Sequence, residues 1–193
     1  MTYSIIGSGN VGTALARQFA RNNINVAVAN RRGATSIAPL AQELDGKIRA
    51  VDLPEALEAE IVILAVAFPD FKTVAHAKSD WSGQIIVHAM NRREKIDGPT
   101  SAEVVAEEFP GAKVVRAFNQ LPAALLASDP AQDGGRRVVF VSSNDEEASA
   151  TVANLARQLG FAPIEIGRLD EGGRLLEFHA QLVLHNLIEH EWD

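Results

Sequence analysis

The chain has 193 residues, 25 of them acidic and 18 basic, for a formal net charge of −7, a balance that argues against a nucleic-acid or anionic-membrane surface as its main partner. Hydrophobic residues make up 47% and charged residues 22%, which excludes wholesale disorder and suits one globular domain with a real core. Cysteine is absent, so disulfides, thiolate metal sites and cysteine nucleophiles are excluded.

Tyr3-Ser4-Ile5-Ile6 reads as a short apolar strand, and Gly7 interrupts the apolar run before it can form the core of a signal peptide. No stretch approaches the roughly 18 apolar residues of a membrane span, so a cytoplasmic protein is expected. Gly7-Ser8-Gly9-Asn10-Val11-Gly12 follows, and Thr13 to Ala20 reads as an amphipathic helix. A G-x-G-x-x-G run is informative only between a strand and a helix, and here both are present. In that setting Gly7 permits a tight turn, Gly9 admits a pyrophosphate to the backbone, and Gly12 lets helix and strand pack closely. The free N–H groups and positive dipole end of the helix then face phosphate. The bland alternative is a turn with no ligand.

Asn25 to Ala29 is the second strand, and it ends at Asn30-Arg31-Arg32 with Thr35 and Ser36 close behind. NAD sites place an acid there for the ribose 2′-hydroxyl, whereas a guanidinium pairs with a 2′-phosphate. NADP(H) is therefore expected, against the alternative of a solvated arginine pair.

Residues 37–44 read as a helix, 47–51 as a strand, and 52–57 as a helix start capped by Asp52, with Pro54 in the first turn. The β-branched run 61–66 has the pattern of a strand buried on both faces. A helix over 70–78, a strand over 84–88, a polar loop over 91–100, a helix over 101–109 and a strand over 113–117 come next. Residues 137–142 form a strand, Asn144 or Asp145 caps a helix ending at Leu159 with Gly160 as its C′ residue, and 161–166 is the last strand. The apolar pattern predicts a final helix over about 173–190, apolar around most of its circumference and so suited to a buried role or a homodimer interface. The whole reads as one α/β domain, a Rossmann-type doubly wound, mostly parallel sheet with a C-terminal helical extension.

His88 ends a strand at the carboxyl edge where ligands bind, which makes it the candidate catalytic group. The alternative is a packed or solvent-facing histidine. Asn91 and Arg92 lie just beyond it. His179, His185 and His190 stand six and five residues apart, which does not bring them to one helical face, so no metal is expected. Trp81 and Trp192 are read as packing residues.

Gly-Ser-Gly-Asn-Val-Gly, Asn30-Arg31-Arg32, Ala117-Phe118-Asn119-Gln120-Leu121-Pro122-Ala123-Ala124 and Gly167-Arg168-Leu169 occur in this order. Together they resemble the NADPH-dependent reductases of the deazaflavin coenzyme F420, over nearly the whole chain. The sheet and loops are also similar to the N-terminal domains of pyrroline-5-carboxylate reductases and to the NADPH-binding domain of a membrane metalloreductase family. The first resemblance implies hydride transfer between NADPH and a deazaflavin or flavin-type acceptor. It places Ser8, Gly9, Asn10 and Val11 at the pyrophosphate, and Asn30, Arg31 and Thr35 at the 2′-phosphate. It sets Val66 beside the adenosine ribose, and Ala89, Met90 and the segment from Ala117 through Asn119 and Leu121 to Pro122 around the nicotinamide and acceptor. The chain departs from the family at Asn30, where serine is usual, and at Ala67-Phe68-Pro69. It ends at Glu191-Trp192-Asp193, without the extension that helps enclose the deazaflavin. A non-catalytic NADP(H) sensor and a reductase of small imines or carbonyls are the rival expectations.

Overall fold

A computed structural model describes residues 1–94 and 97–190; Trp192 lies outside the described residues. Strand β1 (Tyr3–Ile6) leads into helix α1 (Asn10–Arg21), and β2 (Val26–Ala29) is followed by a one-turn 3-10 helix, Ala34–Ser36, and α2 (Ala38–Glu43). Next come β3 (Ile48–Ala50), α3 (Leu53–Ala56), β4 (Ile61–Leu64), a second 3-10 turn at Phe68–Asp70, α4 (Phe71–Ala75) and β5 (Ile85–His88). The second half holds α5 (Ser101–Glu108), β6 (Lys113–Ala117), α6 (Ala123–Ala127), β7 (Ala131–Gln132), β8 (Gly135–Ser143), α7 (Glu146–Gln158), β9 (Ala162–Glu165), α8 (Gly172–Leu175) and β10 (Ile188–Glu189).

Six strands run parallel in the order β3-β2-β1-β4-β5-β6, the doubly wound Rossmann arrangement. β8 then adds antiparallel to β6, with Val115 opposite Ser143. β9 lies parallel on the far edge of β8, and β10 pairs antiparallel with its start. Alternate residues of each strand feed cores on opposite faces. Ile5 and Ile63 pack under α1 and α7, and Ile6 and Leu64 under α4 and α5.

Local signals end most helices where the sequence predicts. Thr100 and Glu103 form a reciprocal capping box on α5, and Asp145 caps α7 by accepting from the Ala148 N–H at 2.8 Å. Gly160 follows α7 at φ +90°, as its C′ position requires. Trp81 is a packing residue, fully buried, edge-on to Phe109 and donating from Nε1 to the Ala75 carbonyl at 3.1 Å. α6 and the short strands β7 and β10 carry too little periodicity to announce themselves.

The predicted final helix is where the structure departs. Only Gly172–Leu175 is helical, His179 and Leu184 take φ of +73° and +66°, and Ile188–Glu189 join the sheet. Its backbone groups are bound elsewhere. The Leu176 carbonyl accepts from Arg116 and Asn119, the Leu184 N–H donates to the Gln120 carbonyl, and the Leu187 carbonyl accepts from the Val138 N–H. A helical ladder over 176–187 would forfeit those tertiary bonds, so an apolar run that looks helical is laid down as irregular chain. Among the described residues no helix is long and apolar enough to cross a membrane.

Candidate functional site

The site sits at the carboxyl ends of β1 and β4, where the strand order reverses. Gly7 has φ +114°, and a Cβ there would collide with the Ala65 carbonyl oxygen; one on Gly12 would collide with the Gly7 carbonyl. These two glycines let β1, α1 and β4 approach. Gly9 differs, since a Cβ on it would meet nothing within 4 Å. The space in front of Gly9 is open, and α1 begins there with no side-chain cap to occupy its first N–H groups. That is a cradle for an anion approaching the backbone. Ser8 and Gly9 line it, with Asn10 and Val11 on its far side.

The loop after β2 is organised by Asn30. Its Nδ2 donates to Ser8 Oγ at 2.7 Å and to Ser36 Oγ at 2.9 Å, while its Oδ1 accepts from the Arg32 N–H at 2.7 Å. Asn30 therefore binds the glycine turn to the arginine loop. Arg31 and Arg32 are exposed and line the same cavity of about 510 Å³, with no acidic partner among the described residues. Leu53, Val66 and Val74 supply its apolar wall. Thr35 is exposed on the 3-10 turn and lies outside the lining of that cavity.

A second cavity of about 460 Å³ adjoins the first across Ala65-Val66-Ala67. Val11, Phe68, Pro69, Ala89, Met90 and Asn91 form its walls. Asn91 and Asn119 hold each other, with Asn91 Nδ2 donating to the Asn119 carbonyl at 2.9 Å and Asn119 Nδ2 to Asn91 Oδ1 at 3.0 Å. The rest of the predicted segment stays behind the wall. Ala117, Asn119 and Leu121 are buried, and Pro122 is exposed at the start of α6.

His88 does not face the cavity. Its ring is fully buried, with Nε2 2.6 Å from Arg116 Nη1 and 3.0 Å from Ser101 Oγ, and Phe68 covers it at a ring separation of 5.9 Å. A guanidinium can only donate, so Nε2 accepts from Arg116, while the Met90 backbone N–H points at Nδ1 at 3.3 Å. Burial first, and the Arg116 charge second, hold its pKa well below the usual histidine range, so the ring is neutral. Arg92 lies over the Phe68 ring at 5.9 Å, and Arg93, rather than Arg92, lines the cavity. No group of three or more potential metal ligands gathers among the described residues.

The sequence reading missed two sets of residues. Ala65, Phe68 and Asp70 line the clefts because they follow the carboxyl end of β4, a position that the strand-end rule marks in advance, and Val74 lines the first from within α4. The buried Arg116, which meets His88, Ser101 and Glu177, had no local signal, because strand alternation does not reveal that an arginine points inward.

Residues 2–92 match the family model described as NADP oxidoreductase, coenzyme F420-dependent. A hypothetical protein of Sinorhizobium meliloti, of known crystal structure, is 42% identical and superposes with a TM-score of 0.95 over 98% of this chain and 96% of that one. A candidate F420-dependent NADP-reductase from Arthrobacter sp. FB24 is 24% identical, with a TM-score of 0.76 over 91% of this chain and 90% of that one, a likeness of fold. Metalloreductase STEAP3 of Rattus norvegicus is 29% identical over 170 residues, which are 86% of this chain and 33% of that protein. The chain thus spans about a third of the length of the curated relatives it matches.

Proposed function

We propose that this chain, whose residues 2–92 match the family model of coenzyme F420-dependent NADP oxidoreductases, moves hydride between NADPH and a planar redox ring, either coenzyme F420 or a flavin. The observation that carries the reading is the junction of two cavities across Ala65-Val66-Ala67, one reaching Arg31 and Arg32 and the other reaching Met90 and Asn91. A dinucleotide laid along that path has its ends where two different chemistries are offered.

In this reading Arg31 and Arg32 take the 2′-phosphate, with Asn30 fixing the loop that carries them and Thr35 at its margin. Ser8, Gly9, Asn10 and Val11 take the pyrophosphate on the glycine turn that Gly7 and Gly12 shape. Val66 lies beside the adenosine ribose, while Ala89 and Met90 wall the nicotinamide with Ala117 packed behind them. Asn91 faces the acceptor, Asn119 orients it, and Leu121 and Pro122 support the segment. When bound, NADPH supplies the hydride. The protein's share is then alignment of the two rings and exclusion of water, which Val11, Phe68 and Met90 provide with apolar surface. In this reading His88 has no role in proton transfer, because its ring is fully buried and does not line the cavity.

The C-terminal segment leaves Leu184 and Leu187 66% and 44% exposed, and a homodimer through this face is part of the same proposal. Sedimentation of the purified protein tests it, and a monomer at micromolar concentration removes it.

The function is tested by following NADPH oxidation with coenzyme F420, FMN, FAD and riboflavin as acceptors and NADH as the control donor. Turnover of NADPH by at least one of these rings, well above turnover of NADH, is expected. Tight NADPH binding without turnover by any of them would move the assignment to a non-catalytic sensor or to a different acceptor class.

A further inference from the structure

The cavity of about 510 Å³ is lined by two opposite chemistries. Ser8, Gly9, Arg31 and Arg32 suit an anion. The other contribution comes from α3 and from α4 with its preceding turn, as Leu53, Asp70, Thr73 and Val74. Asp70, Thr73 and Val74 stand at positions i, i+3 and i+4, so one helical face presents all three to the cavity.

An acid in a cavity suited to a polyanion calls for a reason. Asp70 occupies the N-cap position of α4, yet its side chain makes no capping bond there. It is exposed, with no salt bridge or side-chain hydrogen bond among the described residues. The cation nearest to it in sequence, Lys72, pairs with Glu108 instead. The Thr73 hydroxyl is also exposed and has no protein partner among the described residues. A carboxylate only accepts hydrogen bonds, and it repels phosphate. What it can meet in a dinucleotide is therefore a donor away from the phosphates. Adenine fits that description. Its flat faces suit Leu53, Val66 and Val74, and its edge carries the N6 amino donor beside ring-nitrogen acceptors.

We propose that Asp70 and Thr73 read the adenine edge of the cofactor, with Asp70 accepting from the N6 amino group and so setting a preference for adenine over a 6-oxo purine. This rests on the cofactor site proposed above and deepens it. In hypoxanthine an O6 acceptor replaces the amino donor and faces the carboxylate with no hydrogen between them. Thr73 adds affinity without discrimination, because its hydroxyl donates to the adenine nitrogen and turns to accept from the N1–H of hypoxanthine.

The test titrates the chain with NADPH and with its hypoxanthine analogue, in wild type, Asp70→Asn, Asp70→Ala and Thr73→Val. Wild type is expected to bind NADPH about tenfold or more tightly than the analogue, as a hydrogen bond to a charged group is exchanged for two opposed acceptors. Asp70→Asn places an amide that can donate to O6, and should shrink that preference by about fivefold or more; Asp70→Ala should shrink it by about threefold. Thr73→Val should weaken both cofactors alike, by about threefold. All three variants replace exposed side chains, so melting temperatures within about 2 °C of wild type are expected. Equal binding of the two purines by wild type overturns the proposal. So does an Asp70→Asn that loses both in equal measure, since the carboxylate would then serve a ribose hydroxyl or the end of α4. Unchanged binding in Thr73→Val removes Thr73 from the site. NADH and its own hypoxanthine analogue form a separate arm. If wild type binds NADPH no better than NADH, the 2′-phosphate reading fails, while the purine preference in the NADH arm still decides the role of Asp70. Failure to bind any of the four overturns both.

Discussion

Asp52 accepts a hydrogen bond at 3.0 Å from the backbone N–H of Ala34, eighteen residues before it. By sequence Asp52 is the cap of α3, and it does stand at that helix's N-cap position, yet its side chain makes no capping bond there. It secures the far end of the arginine loop instead, while Asn30 secures the near end. Replacing Asp52 with Ala should loosen the 2′-phosphate loop and weaken NADPH by about 1 kcal/mol, roughly fivefold. NADH binding should stay within about twofold, and titration of both cofactors checks the difference.

Arg31→Asp should cost NADPH on the order of 10- to 100-fold in affinity, since a charge-assisted contact is replaced by repulsion of a phosphate. NADH has no phosphate there and should lose about threefold or less. Equal losses for the two cofactors would remove the 2′-phosphate assignment.

Gly9 and Gly12 should separate binding from folding. Gly9 has φ −78°, which any residue adopts, and open space where a Cβ would go. Gly9→Ala should therefore keep its melting temperature within about 2 °C while NADPH affinity falls roughly tenfold or more, because the methyl occupies the ligand's space. Gly12→Ala gains helix propensity but drives a methyl into the Gly7 carbonyl, so a net destabilisation of about 1–3 kcal/mol is expected. Thermal melts and cofactor titrations on both variants decide this.

The buried His88 makes stability depend on pH. Its folded pKa lies well below the ordinary value of 6.5, chiefly through burial and secondarily through Arg116. Between those two values the unfolded chain binds a proton that the folded chain refuses, so stability falls as the pH drops below about 6.5, by about 1.4 kcal/mol per pH unit from this group. Arg116, itself pulled down to about 10 by burial with Glu177 opposing, stays protonated throughout that range. Denaturant melts between pH 7.5 and 5 should show the slope, and His88→Asn should flatten it. An unchanged slope in that variant would show that other groups titrate.

Local chemistry settles much of this protein. The glycine spacing, the Asn-Arg-Arg strand end, the capping residues Asp145 and Gly160, and the β-branched run of β4 each act over a few residues, and their outcomes can be read along the chain. Distant contacts decide the rest. Nothing near Arg116 says that it turns inward to meet Ser101, His88 and the Leu176 carbonyl, and nothing near Asp52 says that it bonds Ala34. The segment after Leu175 has a helical apolar pattern, but Arg116, Asn119, Gln120 and Val138 take up its backbone groups. Periodicity records which side chains want burial; it does not record which partners, brought near by the folded sheet, will outbid the helix for a carbonyl.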